Sequence, residues 1–356
     1  MKQSFPTHCQ RKKMKKKWIV APCLLLLTAL GAHAVTPEPQ PKIAVDSAMR
    51  VQAIDALVAK LNDHYVFPDK ARQVGTVLHE RQREGKYDGI TDGEQLAKQL
   101  TADLADVLHD KHLFVGFDPG LVPPDREVGP RPTSLAEWER IAPPDVRQRI
   151  LASSLGVEKV DHLGPRIGYL DLSGFPPPFL VAPKYATAMD KLADTDGLIV
   201  DLRNNHGGAP DGVALLVSYF VDERTRLNDI WDRDTGVTTQ QWTADRLDGK
   251  RYGGKKPVVI LTGPGTVSAG EDFAYTMQAL KRATLIGERT WGGAHPTRPF
   301  RLADHFFAAI PNARTISPIT HTNWEGVGVV PDVAATPDKA LAVAKDMLQR
   351  RLKGTN

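Results

Sequence analysis

The stretch over residues 257–277, PVVILTGPGTVSAGEDFAYTM, sets a strand, a turn and a helix in immediate succession. Val258, Val259, Ile260 and Leu261 form the short apolar run of a buried strand, and Gly263, Pro264 and Gly265 force a turn. Phe273, Met277 and Leu280 then carry an apolar face at helical spacing. Ser268 falls at the joint. Taken alone, a serine there is a helix N-cap, with Gly270 and Glu271 in the first turn. The same position also holds a hydroxyl rigidly beside the unpaired N–H groups of a helix start. Negative charge developing on an attacked carbonyl oxygen would meet donors there. Both readings stand until the rest of the chain is read.

Residues 1–34 read as a signal peptide and not as part of the fold. Lys12, Lys13, Lys15, Lys16 and Lys17 form a basic start, residues 18–30 an apolar run, and Ala32-His33-Ala34 a small-residue cleavage site. The run falls short of the about 20 apolar residues of a membrane span, so export and a secreted or periplasmic location are expected, with cleavage after about Ala34. The segment carries seven basic residues and no acidic one, so its removal turns a formal charge of +4 into −3. The basicity therefore belongs to targeting, and nothing points to nucleic acid, or to a membrane once the segment is cleaved. Cys9 and Cys23 leave with it, which removes any disulfide, thiol nucleophile or thiolate metal site. HExxH is absent too, and no metal or cofactor is expected.

The remaining pattern divides the chain. A Pro-rich linker over 35–43 leads to a helical domain over 44–110. Its stripes are Val51, Ile54, Leu57, Val58 and Leu61; Val74, Val77 and Leu78; and Leu96, Leu100, Leu104 and Leu108. A connecting segment over 111–165 opens with the strand-like HLFVGF, passes a Pro- and Gly-dense loop over 118–132, and is weakly helical over 135–155. From 166 to 356 strands and helices alternate. Strands are expected at 167–172, 197–202, 258–261, 283–287 and 305–316, and helices at 185–193, 210–220, after Ser268, and at 339–352. That alternation argues for an α/β core.

Three further constellations bear on Ser268. The string Asp201-Leu-Arg-Asn-Asn-His-Gly-Gly208 follows a strand, and its paired glycines let backbone N–H groups face a ligand closely. It is half of an oxyanion hole or an ordinary tight turn. His112 lies between the Leu-rich helix and HLFVGF, where both elements fix it, and Lys111 precedes it. His206 and His295, each beside a Gly pair, compete as the proton acceptor. Glu325, in the Gly-punctuated segment NWEGVGVVPD, could fix a catalytic imidazole. Glu271 and Asp272 are alternatives whose first-turn position already suits the helix dipole.

Together GLIVDLRNNHGG, LTGPGTVSAGEDFA, LIGERTWGGAHP and EGVGVVPDV resemble the tail-specific (C-terminal-processing) serine peptidase family, over residues 167–333. The resemblance implies a crotonase/Clp-protease-like α/β core of repeated ββα units, preceded by a small helical domain. Family members that use a serine-lysine dyad carry lysine at the position of Gly293 and usually insert a PDZ domain, for which residues 118–165 are too few. The chain is more similar to the branch of the tricorn core protease and the interphotoreceptor retinoid-binding protein modules. By that likeness Ser268 is nucleophile, His112 its base and Glu325 the orienting carboxylate. The oxyanion donors are Gly207 or Gly208 with Ala269. The branch has a serine where this chain has Lys111. The expected partner is a peptide or protein substrate, and the likeness leaves room for a homo-oligomer.

Two other readings remain at this stage. In one, Trp291, Phe300, Phe306, Phe307 and Trp324 line a pocket for an apolar ligand, as in retinoid-binding relatives. In the other, the core serves an acyl-CoA enzyme of crotonase type, which needs no such serine.

Overall fold

The computed structural model describes residues 43–122 and 132–354. The expected signal peptide and nearly all of the linker lie outside the described residues, as does most of the Pro- and Gly-dense loop.

Three helices open the described chain: α1 (Ser47–His64), α2 (Pro68–Arg83) and α3 (Gly93–Leu108). Asp46 and Asp92 cap the first and third by accepting Met49 and Gln95 N–H groups, and Pro68 starts the second. Their apolar stripes do not close on each other alone. Strand β1 (Phe114–Phe117) pairs with a strand much later in the chain, β10 (Phe306–Pro311), which pairs in turn with β9 (Thr297–Arg301). Phe300, Phe306, Ala308 and Ile310 of this sheet share one buried cluster with Leu57, Leu61, Leu100 and Leu104. The helical region is therefore pinned to the core through β1, and His112 sits just ahead of that strand.

The Pro143-Pro144 break falls between α4 (Leu135–Ile141) and α5 (Pro144–Leu151). The core is a six-stranded sheet in the order β12-β8-β7-β4-β3-β2. Strands β3 (Ile167–Leu172), β4 (Gly197–Asp201), β7 (Val258–Thr262), β8 (Thr284–Gly287) and β12 (Val333–Ala334) run parallel, and β2 (Val157–His162) closes one edge antiparallel. Val258 and Ile260 pack with α6 (Pro178–Leu192), α7 (Pro210–Val217) and α8 (Ala269–Ala279). Val259 and Leu261 face α9 (Pro337–Lys353) on the other side. A strand covered on both faces needs apolar residues at every position, which explains the unbroken run in β7. A third small sheet, β11-β5-β6, joins Ala313–Ile316, Arg226–Asp232 and Thr238–Trp242. The architecture is thus an α/β core preceded by a helical region. The carboxyl ends of β4 and β7 deliver the two Gly-rich loops to one place.

Candidate active site

Ser268 is the N-cap of α8 with φ 54° and ψ −115°. Few L-residues adopt that backbone, and holding it costs on the order of 1–3 kcal/mol unless neighbours fix it. The fixing is visible. Glu271 reaches back to accept the Ser268 N–H at 2.9 Å, the Ser268 carbonyl accepts Asp272 N–H at 2.9 Å, and Val267 N–H is donated to the Asn205 carbonyl at 2.8 Å. The cap is real, but its backbone is bent into a sharp strand-to-helix turn, a geometry that a nucleophile elbow also uses.

The Asn205–Gly208 loop packs directly onto this turn. Asn205 is fully buried; its Nδ2 donates to the Leu172 carbonyl at 2.8 Å and its Oδ1 accepts Gly207 N–H at 3.0 Å. Gly207 has φ +89°, and a Cβ there would lie 2.8 Å from Ser268 Cβ and 3.1 Å from Ala269 N. No side chain fits between the two loops. Because Gly207 N–H is taken by Asn205, Gly208 keeps the free donor of the pair, which narrows the expectation of either glycine. Among the described residues neither Gly208 N–H nor Ala269 N–H has a hydrogen-bond partner. His206, a competing base by sequence, is exposed and only its N–H is engaged, by the Ser173 carbonyl.

His112 lies in the turn before β1, where its N–H bonds to Asp110 Oδ1 at 3.1 Å. Its ring meets Trp291 edge-on, with centroids 5.1 Å apart, and rests against Gly293. Gly293 N–H is donated at 3.0 Å to Glu271 Oε2, the same oxygen that holds Ser268 N–H. A single carboxylate oxygen thus ties the serine turn to the glycine on which the imidazole leans. Lys111 points elsewhere: its Nζ bonds the Trp291 carbonyl and sits 5.6 Å over that indole.

Glu325 and Asp110 complete the cluster. Asp110, His112 and Glu325 present atoms that all lie within 4.8 Å of one another. Glu325 Oε2 accepts Ala294 N–H and lies 3.4 Å from His295 Nδ1. Asp110 Oδ2 accepts from His295 Nδ1 at 2.9 Å and from the Tyr65 hydroxyl at 3.2 Å. His295, a competing proton acceptor by sequence, is therefore buried between two carboxylates. His112 Nδ1 and Glu325 Oε1 are buried and have no partner in the described structure. One imidazole and two carboxylates at this spacing could accept a cation as well as share a proton, a set that the sequence did not show.

Burial pushes His112 down to about 4, only partly opposed by Asp110, so its imidazole is neutral and able to accept a proton at neutral pH, though a weaker base than a free imidazole. Burial, reinforced by the Asp110 carboxylate and opposed by His295, pushes Glu325 up to about 7. Burial also raises Glu271, although Thr290, Gly293, Gly292 and Ser268 all donate to it. It is thus no exposed dipole residue of the first turn.

The five aromatics of the apolar-pocket reading disperse. Phe300 and Phe306 belong to the helical core, Trp324 to the main core, Phe307 faces Phe114, and Trp291 faces His112.

A serine in a strained strand-to-helix turn, two unpartnered N–H groups, and an imidazole with two carboxylates within 4.8 Å are parts that acyl transfer could use on an α/β core. The chain belongs to peptidase family S41: residues 166–335 match that family, and residues 43–158 match the N-terminal domain of peptidase S41 in eukaryotic IRBP. It is 30% identical over 179 residues to the chloroplastic carboxyl-terminal-processing peptidase 2 of Arabidopsis thaliana, covering 47% of this chain and 32% of that one. It is 31% identical over 143 residues to the tricorn protease of Thermoplasma volcanium, covering 40% of this chain and 12% of that one. The structure of a lipoprotein from Streptococcus agalactiae shares the fold, with a TM-score of 0.56 at 15% identity over 85% of this chain and 96% of that one. The chain spans less than half the length of either curated relative.

Proposed function

We propose that the chain is an exported serine-type peptidase that hydrolyses peptide bonds of polypeptides through Ser268, His112 and Glu325. The observation that carries this reading is the Ser268 turn, strained and set beside the unpartnered Gly208 and Ala269 N–H groups. Family membership and the names of the curated relatives support it.

His112, with the Glu325 and Asp110 carboxylates within 4.8 Å, takes the Ser268 proton as Oγ attacks the scissile carbonyl. The tetrahedral oxyanion is met by Gly208 and Ala269 N–H groups, each such donor being worth about a hundred- to thousandfold in rate. Imidazolium then gives the proton to the departing amine, and water, activated by the same imidazole, releases the acyl group from Ser268. Glu325 and Asp110 stabilise the imidazolium that burial alone disfavours. Asp110 is a positioning residue, holding both the His112 N–H and His295. The basic and apolar segment over 1–34 supports export, and no described helix is long and apolar enough to cross a membrane.

The test is hydrolysis of a fluorogenic casein by the mature chain. Activity lost in Ser268→Ala and in His112→Ala agrees with the reading. A folded wild type without activity, or a Ser268→Ala variant with wild-type activity, contradicts it.

A further inference from the structure

The segment over 290–295 is bonded to all three parts of the proposed catalytic set. Glu271 takes the Thr290 hydroxyl and the Gly292 and Gly293 N–H groups, which ties it to the Ser268 turn. Gly326 N–H reaches the Gly292 carbonyl at 3.0 Å and Trp324 Nε1 the Gly293 carbonyl at 2.7 Å, while Ala294 N–H is donated to Glu325. These bonds tie it to the stretch that carries Glu325. Two side chains join it to the turn that carries His112, both from residues just ahead of the histidine. Asp110 takes His295 Nδ1 at 2.9 Å, and Lys111 Nζ donates to the Trp291 carbonyl.

Lys111 and His112 grip the same tryptophan at different points. The ammonium holds the carbonyl of Trp291 and lies 5.6 Å over its indole, and that indole meets the His112 ring edge-on. Gly293 lies where the two rings converge: a Cβ there would clash with Trp291 Cζ3 and lie 2.5 Å from His112 Cε1. Gly292 has φ +94°, and a Gly-Gly backbone imposes few conformational limits of its own. External bonds must therefore set where this backbone comes to rest, and with it the ring that leans on it. Trp291 N–H is spent on the Thr266 carbonyl at 3.1 Å, and Lys111 supplies the donor for the Trp291 carbonyl. A bond from an ammonium is charge-assisted, and the four-carbon stem of lysine carries it across from the neighbouring turn.

We infer that Lys111 is a positioning residue, which fixes the His112 imidazole against Gly293 by holding the Trp291 carbonyl. The inference rests on His112 being the base of Ser268 and concerns how that base is placed. The test reads the ring itself. Mature protein carrying isotope-labelled histidine is observed by heteronuclear NMR, the His112 signal being the one lost in His112→Gln. Lys111 is exposed, so its variants are expected to fold. In Lys111→Met, which keeps an apolar stem and removes donor and charge, the His112 signal should shift as the ring leaves the edge of Trp291. Lys111→Arg, which restores a charged donor, should return it. In parallel, the maximal rate of fluorophosphonate labelling of Ser268 should fall about tenfold in Lys111→Met, with half-saturation within about twofold. In a His112→Gln background the same substitution should change the residual labelling by less than about twofold, because its effect passes through the ring. An unmoved His112 signal in Lys111→Met, a loss that Lys111→Arg does not restore, or an equal slowing in the His112→Gln background overturns the inference. The NMR measurement needs no turnover, so its outcome is separate from the Ser268-dependent hydrolysis on which the peptidase reading depends.

Discussion

The His112 imidazole occupies the space that a side chain at Gly293 would need. A Cβ built on Gly293 lies 2.5 Å from His112 Cε1 and 2.8 Å from Nδ1. The lysine that dyad enzymes of the resembling family carry at this position cannot coexist with the ring where it stands. A histidine-based site and a glycine at 293 are therefore one structural choice.

Gly293→Ala consequently displaces the ring while leaving every polar group of the cluster in the sequence. Since a displacement of about 1 Å can cost a hundredfold, kcat/KM is expected to fall by about that factor or more. The far-UV circular dichroism should remain that of wild type. Full activity in this variant would show that the ring is not held against Gly293 in the working enzyme.

Glu271 is the hub between the serine turn and the 290–293 loop. One oxygen accepts Ser268 and Gly293 N–H groups, the other Thr290 Oγ1 and Gly292 N–H. Glu271→Gln must turn an amide NH2 toward N–H donors on one side or the other. It is expected to destabilise the fold by about 2–3 kcal/mol in urea unfolding and to suppress labelling of Ser268.

These two residues show how far the sequence reaches. The strand, turn and helix around Ser268 are legible because β7 is buried on both faces and its apolar run is unbroken. Strands β5 and β6 are not, since RLNDIWD and TTQQW pair at a half-exposed sheet and carry no apolar alternation. The edge strand β2 and the two-residue β12 escape for similar reasons. The role of Glu271 is hidden because its partners arrive only when the 290–293 loop folds back. Asp110 gives no local signal, as Tyr65 and His295 stand 45 and 185 positions away. His112 and Glu325 rest on the family resemblance more than on their surroundings, and the burial of His295, a competing base by sequence, between Asp110 and Glu325 has no local signal.

Activity should rise with pH as Glu325, held up at about 7, loses its proton; His112, held down at about 4, is already neutral there. The kcat/KM profile is expected to be half-maximal near pH 7 on its acid limb. Glu325→Gln should leave a much lower activity with no limb in that region. An acid limb unchanged by Glu325→Gln would assign the ionisation to another group.

The same group links stability to pH. A carboxyl whose folded pKa lies above its ordinary value favours the folded state fully below about 4.5, and that contribution is lost as pH rises through about 7. Glu325→Gln removes the cost of burying the charge. It should melt a few degrees above wild type at pH 8, with the gap closing toward pH 4 in thermal circular dichroism. A variant less stable than wild type at both pH values would contradict the burial account.

The activation of Ser268 by His112 is tested most directly by mass spectrometry of the mature protein treated with a fluorophosphonate. A single adduct on Ser268 is expected, absent in Ser268→Ala and formed about a thousandfold more slowly in folded His112→Gln. No adduct on folded wild type, or undiminished labelling in His112→Gln, would contradict a histidine-activated nucleophile.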